Sequence, residues 1–181
     1  MAIKKILKRF FAVFLLIFVT FGLFSCGAGE PMSAQKVLTA MLRAEKELPA
    51  GKTYLLKSSK GSPDYISESL LAALYGGTAF PEVLGRTEDM ALRLSSGLCC
   101  FEMAVFLCPT VRDAREIADL CLGRIDSMEH FVNANSEKLG ISPLSVENLK
   151  KARVNVVGRY VIMAVSPNAD EAVKGAKNAI S

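Results

Sequence analysis

The chain carries no acidic residue before Glu30, only one histidine, His130, and none of the short motifs that announce a catalytic site. A Gly-x-Ser-x-Gly elbow, a His-Glu-x-x-His helix and a dinucleotide fingerprint are all missing, which removes the commonest signatures of hydrolases, zinc peptidases and nicotinamide enzymes. Gly51-Lys52-Thr53 has the ending of a phosphate loop, but Lys46 stands where the earlier glycine is required, so no nucleotide site is read there. A net charge is lacking too, once the leader is set aside. The whole chain has 22 basic and 18 acidic side chains, and removing Lys4, Lys5, Lys8 and Arg9 leaves 18 of each. A neutral domain offers no basic stripe for nucleic acid.

What is present at the start is a basic stretch followed by an apolar run from Phe10 to Phe24, broken only by Thr20 and Gly22. Such a run is short for a membrane span of about 20 residues, and it reads as the core of an export signal over residues 1–25. It ends in Leu23-Phe24-Ser25-Cys26, which resembles the lipobox of bacterial lipoproteins. That resemblance implies a diacylglycerol on Cys26, cleavage before it, and a cell-membrane location with the domain on the extracytoplasmic face. Phe24 departs from the small residue usual two places before the cysteine. An uncleaved anchor helix or an ordinary secreted protein cut nearby are the alternatives, and in all three the domain faces outward because basic flanks stay cytoplasmic. Residues 26–33 form the tether. Taking 25 residues from 181 leaves 156, enough for a single domain with its own core, placed at 34–181.

Periodicity divides that domain into elements. Val37, Met41, Ala44 and Leu48 recur at helical spacing between Ser33, an N-cap, and Pro49. Lys52 to Lys57 is a short extended piece, and a second helix runs from Ile66 to Tyr75, stopped by Gly76-Gly77. Met90 to Leu94 and Leu98 to Leu107 form a hairpin. Val111, Ala114, Ala118, Cys121, Ile125, Met128 and Val132 then step by three and four, a long amphipathic helix closed by Gly140. A short helix over Pro143 to Lys151 leads to a second hairpin, Arg153 to Val157 and Tyr160 to Val165, around a two-residue type II′ turn at Gly158-Arg159. Asn168 with Glu171 is expected to form a capping box on the last helix. The fold class is therefore α+β: an antiparallel sheet of two hairpins, each followed by helix, with extra helices at the N-terminus. Helices on one face is the simplest packing.

From Met90 to Ile180 the chain resembles an uncharacterised group of envelope lipoproteins of Clostridia and related Gram-positive bacteria, described as a domain of unknown function. Glu102 within Phe101-Glu102-Met103-Ala104-Val105-Phe106 carries the resemblance, with Arg124, Pro143 and Asn155-Val156-Val157-Gly158-Arg159-Tyr160-Val161-Ile162. Leu74-Tyr75-Gly76 matches an earlier segment. Where Arg159 stands the family usually has a small polar residue. The resemblance implies a surface lipoprotein and supplies no activity.

The residues with chemistry to offer are few. Cys99, Cys100, Cys108 and Cys121 would ordinarily suggest two disulfides in an exported protein. If Cys99 and Cys108 lie on one strand, nine residues at about 3.3 Å each hold them nearly 30 Å apart, and Cys121 falls opposite Met103. Four free thiols packed as small apolar groups are expected, with no metal because paired ligand spacings are missing. Glu102 is the sole charge between Leu98 and Leu107. Alternation groups Phe101, Met103 and Val105 with Val154, Val156, Val161 and Met163 against the long helix, and so places Glu102 on the opposite, solvated face, with a partner-facing or ion-pairing role as the alternative. Glu102, Arg124 and Tyr160 are the candidate binding residues; no catalytic residue and no cofactor is assigned. A non-enzymatic module that binds an envelope protein is the leading expectation. An envelope enzyme or a small-ligand-binding protein built on Glu102 and Arg124 is the other.

Overall fold

A computed structural model describes residues 30–181 apart from 78 and 98. The residues read as an export signal, Cys26 and most of the expected tether lie outside the described residues, as does Leu98 of the first hairpin. The folded unit begins at Met32.

Strand alternation and helical stripes produce a five-stranded antiparallel sheet in the order β1-β2-β3-β5-β4. Its strands are β1 (Gly51–Leu55), β2 (Asp89–Ser95), β3 (Glu102–Leu107), β4 (Arg153–Val157) and β5 (Tyr160–Val165). The two expected hairpins are there, and the centre of the sheet is the pairing of β3 with β5, Glu102 opposite Val165 and Leu107 opposite Tyr160. The extended piece near Lys52 becomes the edge strand β1, against β2. In the second hairpin Val157 faces Tyr160, Val156 faces Val161 and Val154 faces Met163, as the pattern demanded. Gly158 sits at φ +57°, which a two-residue hairpin turn with a left-handed first position needs.

Six helices surround the sheet among the described residues: α1 (Ala34–Leu42), α2 (Glu68–Leu71, running on as a π-helical turn Ala72–Gly76), α3 (Glu82–Gly85), α4 (Val111–Leu139), α5 (Pro143–Lys150) and α6 (Ala169–Ile180). Ser33 caps α1, its hydroxyl accepting from the Lys36 amide, and Asp89 from β2 accepts from the Ala34 amide at 2.9 Å. Thr110 caps α4 through the Asp113 amide, and Gly140 ends it at φ +61°. The capping box at Asn168 does not form. Its side chain instead donates from Nδ2 to Glu45 Oε2 at 2.9 Å, so the start of α6 is tied to the segment after α1.

Both faces of the sheet are covered, and this overturns the one-face packing. Met90, Leu92, Ala104, Phe106, Val161, Met163 and Val165 pack against α4, whose Ile117, Cys121, Ile125 and Met128 are buried there. Ala91, Phe101, Met103, Val105, Leu107, Ile162 and Ala164 pack against α1 and α6 on the other side. Phe101, Met103 and Val105 therefore lie on the face away from α4, and Glu102 lies on the α4 face. The reason is physical: in a strand buried on both sides each alternate set is apolar, so alternation separates the faces without saying which helix covers which. The strand itself starts later than expected, at Glu102, and residues 96–101 are loop. Phe101 is buried all the same, at 3 % exposure, whereas Val156, near the tip of the hairpin on the edge strand, is 40 % exposed.

Candidate functional site

Glu102 opens β3 and points into the layer between sheet and α4, where 98 % of its surface is lost. A carboxylate taken that far from water requires compensating donors. Arg124 supplies two, Nε at 3.1 Å and Nη2 at 3.0 Å, both to Oε2. Tyr75 supplies the third, its hydroxyl donating to Oε1 at 2.9 Å. Three elements thus converge on one carboxylate: a strand start, the middle of the long helix, and the π-helical turn after α2. The wider turn carries Tyr75 inward, where its ring meets Phe106 edge-on at 5.5 Å. Gly76 is required beside it, because a Cβ there would come within 2.5 Å of the Pro81 ring.

The charge on Glu102 sets its neighbours' chemistry. Burial first, and then that charge, pushes the Tyr75 phenol well above its ordinary range. Cys121, on the face of α4 turned to the sheet, is raised for the same two reasons in the same order. Burial also lifts the Cys108 thiol, to about 12. Tyr75 is accordingly a fixed neutral donor and Cys121 a fixed neutral thiol. With both oxygens of Glu102 occupied by protein donors, the carboxylate orients and neutralises Arg124.

An open pocket of about 330 Å³ borders this group. Leu94, Phe101, Met128, Phe131 and Ile141 form apolar walls, and Arg124, Ser127 and Ser95 provide the polar edge. Arg124 keeps 22 % of its side chain exposed, and its Nη1 has no protein acceptor among the described residues. A second hollow of about 290 Å³ lies across Arg124, bounded by Leu74, Tyr75, Leu120 and again Ser127. Cys100 in the wall of the first pocket has φ +42°, a left-handed backbone that a non-glycine residue adopts only at a cost of order 1–3 kcal/mol. The loop turns there so sharply that adjacent cysteines reach different hollows, Cys100 this one and Cys99 another beneath α5.

Two of the three candidate residues come together, and one does not. Glu102 and Arg124 are ion-paired; Tyr160 lies five rungs down the sheet, roughly 16 Å along the strand, and on the opposite face. Its hydroxyl is occupied by the Met32 carbonyl at 2.8 Å, a structural tie at the start of the domain. The solvated face assigned to Glu102 is corrected by its burial, and the ion-pairing role holds. Tyr75 was missed as the third member. The only hint was its place in Leu74-Tyr75-Gly76, since no spacing rule links residues 27 apart. All four described cysteines are free thiols. The geometry behind that expectation needs correcting, because Cys99 is in the loop and not on β3, and Cys121 packs with Ala104 and Phe106 rather than opposite Met103. His130 is exposed on α4.

No family model, curated protein or solved structure matches this chain.

Proposed function

We propose that the chain is an extracytoplasmic envelope lipoprotein, held to the membrane by diacylglycerol on Cys26, whose α+β domain binds a partner rather than transforming a substrate. The sequence of Lys4 to Arg9, the apolar run and Leu23 to Cys26 supports the anchor, and the family resemblance around Glu102 and Asn155 to Ile162 agrees with it. One observation carries the binding reading: both oxygens of the Glu102 carboxylate are engaged by Arg124 and Tyr75, yet an apolar-walled pocket lies open beside it. A general base needs a carboxylate free to accept a proton from substrate, and this one has spent both oxygens on the protein. Recognition needs the reverse, a rigid polar edge set in an apolar wall. Envelope proteins that present an apolar side chain are the partner class such a wall suits.

A photo-cross-linking residue placed at Phe131, which is 46 % exposed and lines the pocket, should give a discrete adduct in intact cells. The same residue at Lys174, exposed on α6, should not. Identical adduct patterns at both sites, or none at Phe131, would refute the assignment of the pocket.

A further inference from the structure

We infer that the hollow beneath α5 is a binding site for an organic primary ammonium ion on an apolar body, distinct from the pocket beside Arg124. This hollow, of about 540 Å³, is bounded by the segment after α1, the loop at Cys99, α5 and the Pro167-Asn168 entry to α6. Two of its lining residues hold buried oxygens without a hydrogen-bond partner. Asn148 is 2 % exposed; its Nδ2 donates to the Cys99 carbonyl at 3.3 Å and its Oδ1 receives nothing. Glu45 accepts from Asn168 at Oε2, while its Oε1 receives nothing. Buried acceptors without a protein partner are uncommon in folded proteins, and each calls for a donor from outside the chain.

The missing donor can be specified. Both atoms are acceptors, so the occupant brings N–H or O–H donors. Glu45, Lys46 and Glu47 all line the hollow and together sum to one negative charge, which favours a cation at the Glu45 end. A hard metal ion requires about six oxygens, and among the described residues no group of three or more acidic, histidine or cysteine side chains converges to hold one. An ammonium group has three donors at tetrahedral angles, enough for Glu45 Oε1 and Asn148 Oδ1 with one left for water. Leu48, Phe101, Leu144 and Pro167 give the hollow an apolar side, and this is the surface an aliphatic or aromatic body would cover. Leu48 and Leu144 are nearly half exposed as they stand, at 45 % and 48 %.

The vicinal cysteines provide a built-in readout, because Cys99 lines this hollow and Cys100 the other pocket. Alkylation of the full chain in membranes by iodoacetamide, with the modified residue located by fragment mass spectrometry, should be run with three probes of one shape: 2-phenylethylammonium, 2-phenylethanol and 3-phenylpropionate. Saturating ammonium probe should slow Cys99 at least about five-fold and leave Cys100 unchanged. The alcohol should need about ten-fold higher concentration, and the carboxylate should not protect. Glu45→Gln, a conservative change on a partly exposed residue, should raise the half-protecting ammonium concentration about ten-fold; Leu144→Ala should raise it several-fold without touching a polar group. Equal protection by all three probes overturns the inference, as does protection of Cys100 instead of Cys99, an unaltered Glu45→Gln response, or no protection at all. None of these outcomes bears on the anchor or on the pocket beside Arg124, which are read by separate labelling and cross-linking.

Discussion

Replacing Glu102 by Gln leaves the Arg124 guanidinium, 22 % exposed, without its counter-charge while preserving shape. Breaking a buried ion pair from one side costs about 3 to 5 kcal/mol, and the water that still reaches Arg124 puts this case near the lower figure. Phe101→Ala on the other face should cost a similar 3 to 5 kcal/mol as a truncated core aromatic, so urea melts of the two variants should show comparable losses. A loss under about 1 kcal/mol for Glu102→Gln would contradict the buried pair. Titration gives a second test. Tyr75 and Cys121 have folded pKa values raised above their ordinary ones near 10 and 9, so the unfolded chain releases their protons first as pH rises. Their contribution is therefore intact below about pH 9 and declines above it, through 10 and beyond. Stability measured from pH 8 to 11 should fall more gently in Tyr75→Phe than in the parent. The variant should also be weaker at pH 8, by roughly 1.5 to 3 kcal/mol, since Glu102 Oε1 loses its donor.

At the level of elements, two helix glycines that look alike in sequence have opposite consequences. Gly123 in α4 faces open space, so Gly123→Ala should gain up to about 1 kcal/mol from helix propensity alone. Gly175 in α6 is where that helix crosses α1, and a Cβ there would stand 2.9 Å from the Ala40 carbonyl oxygen. Overpacking against backbone costs about 1 to 3 kcal/mol, more than the propensity gain, so Gly175→Ala should lower the melting temperature while Gly123→Ala raises it. The long helix shows the same division between pattern and placement. Its 29 residues span roughly 43 Å against about 20 Å for β3, so it outreaches that strand, with α5 packed alongside and the Arg124 pocket opening from Arg124 to Phe131. The periodicity of Val111 to Val132 revealed the stripe. Nothing in it revealed that Arg124, just off that stripe, would meet a carboxylate from β3.

For the molecule as a whole, the proposed anchor and the thiols are the properties to measure. Cys26→Ala should abolish metabolic labelling by a palmitate analogue and leave the precursor uncleaved; retained labelling would exclude Cys26 as the acceptor. Alkylation after unfolding in the absence of reductant should block Cys99, Cys100, Cys108 and Cys121, in keeping with four free thiols. Fewer blocked sites would show a disulfide that the folded arrangement does not contain.

Local information determined a good deal of this protein. Turn chemistry at Gly158, the N-cap at Ser33, the Gly140 stop and the stripe of α4 each depend on residues within a few positions of one another, so most elements, though not α3, and the register of the second hairpin were legible in order. The α+β class followed from that order. What no local rule contains is which layer covers which face of the sheet, because β3 and β5 are buried on both sides and alternation is symmetric between them. That choice belongs to the docking of α1 and α6 opposite α4, and it moved Glu102 from solvent into a buried pair, brought Tyr75 to it across 27 residues, and left Tyr160 on the far face.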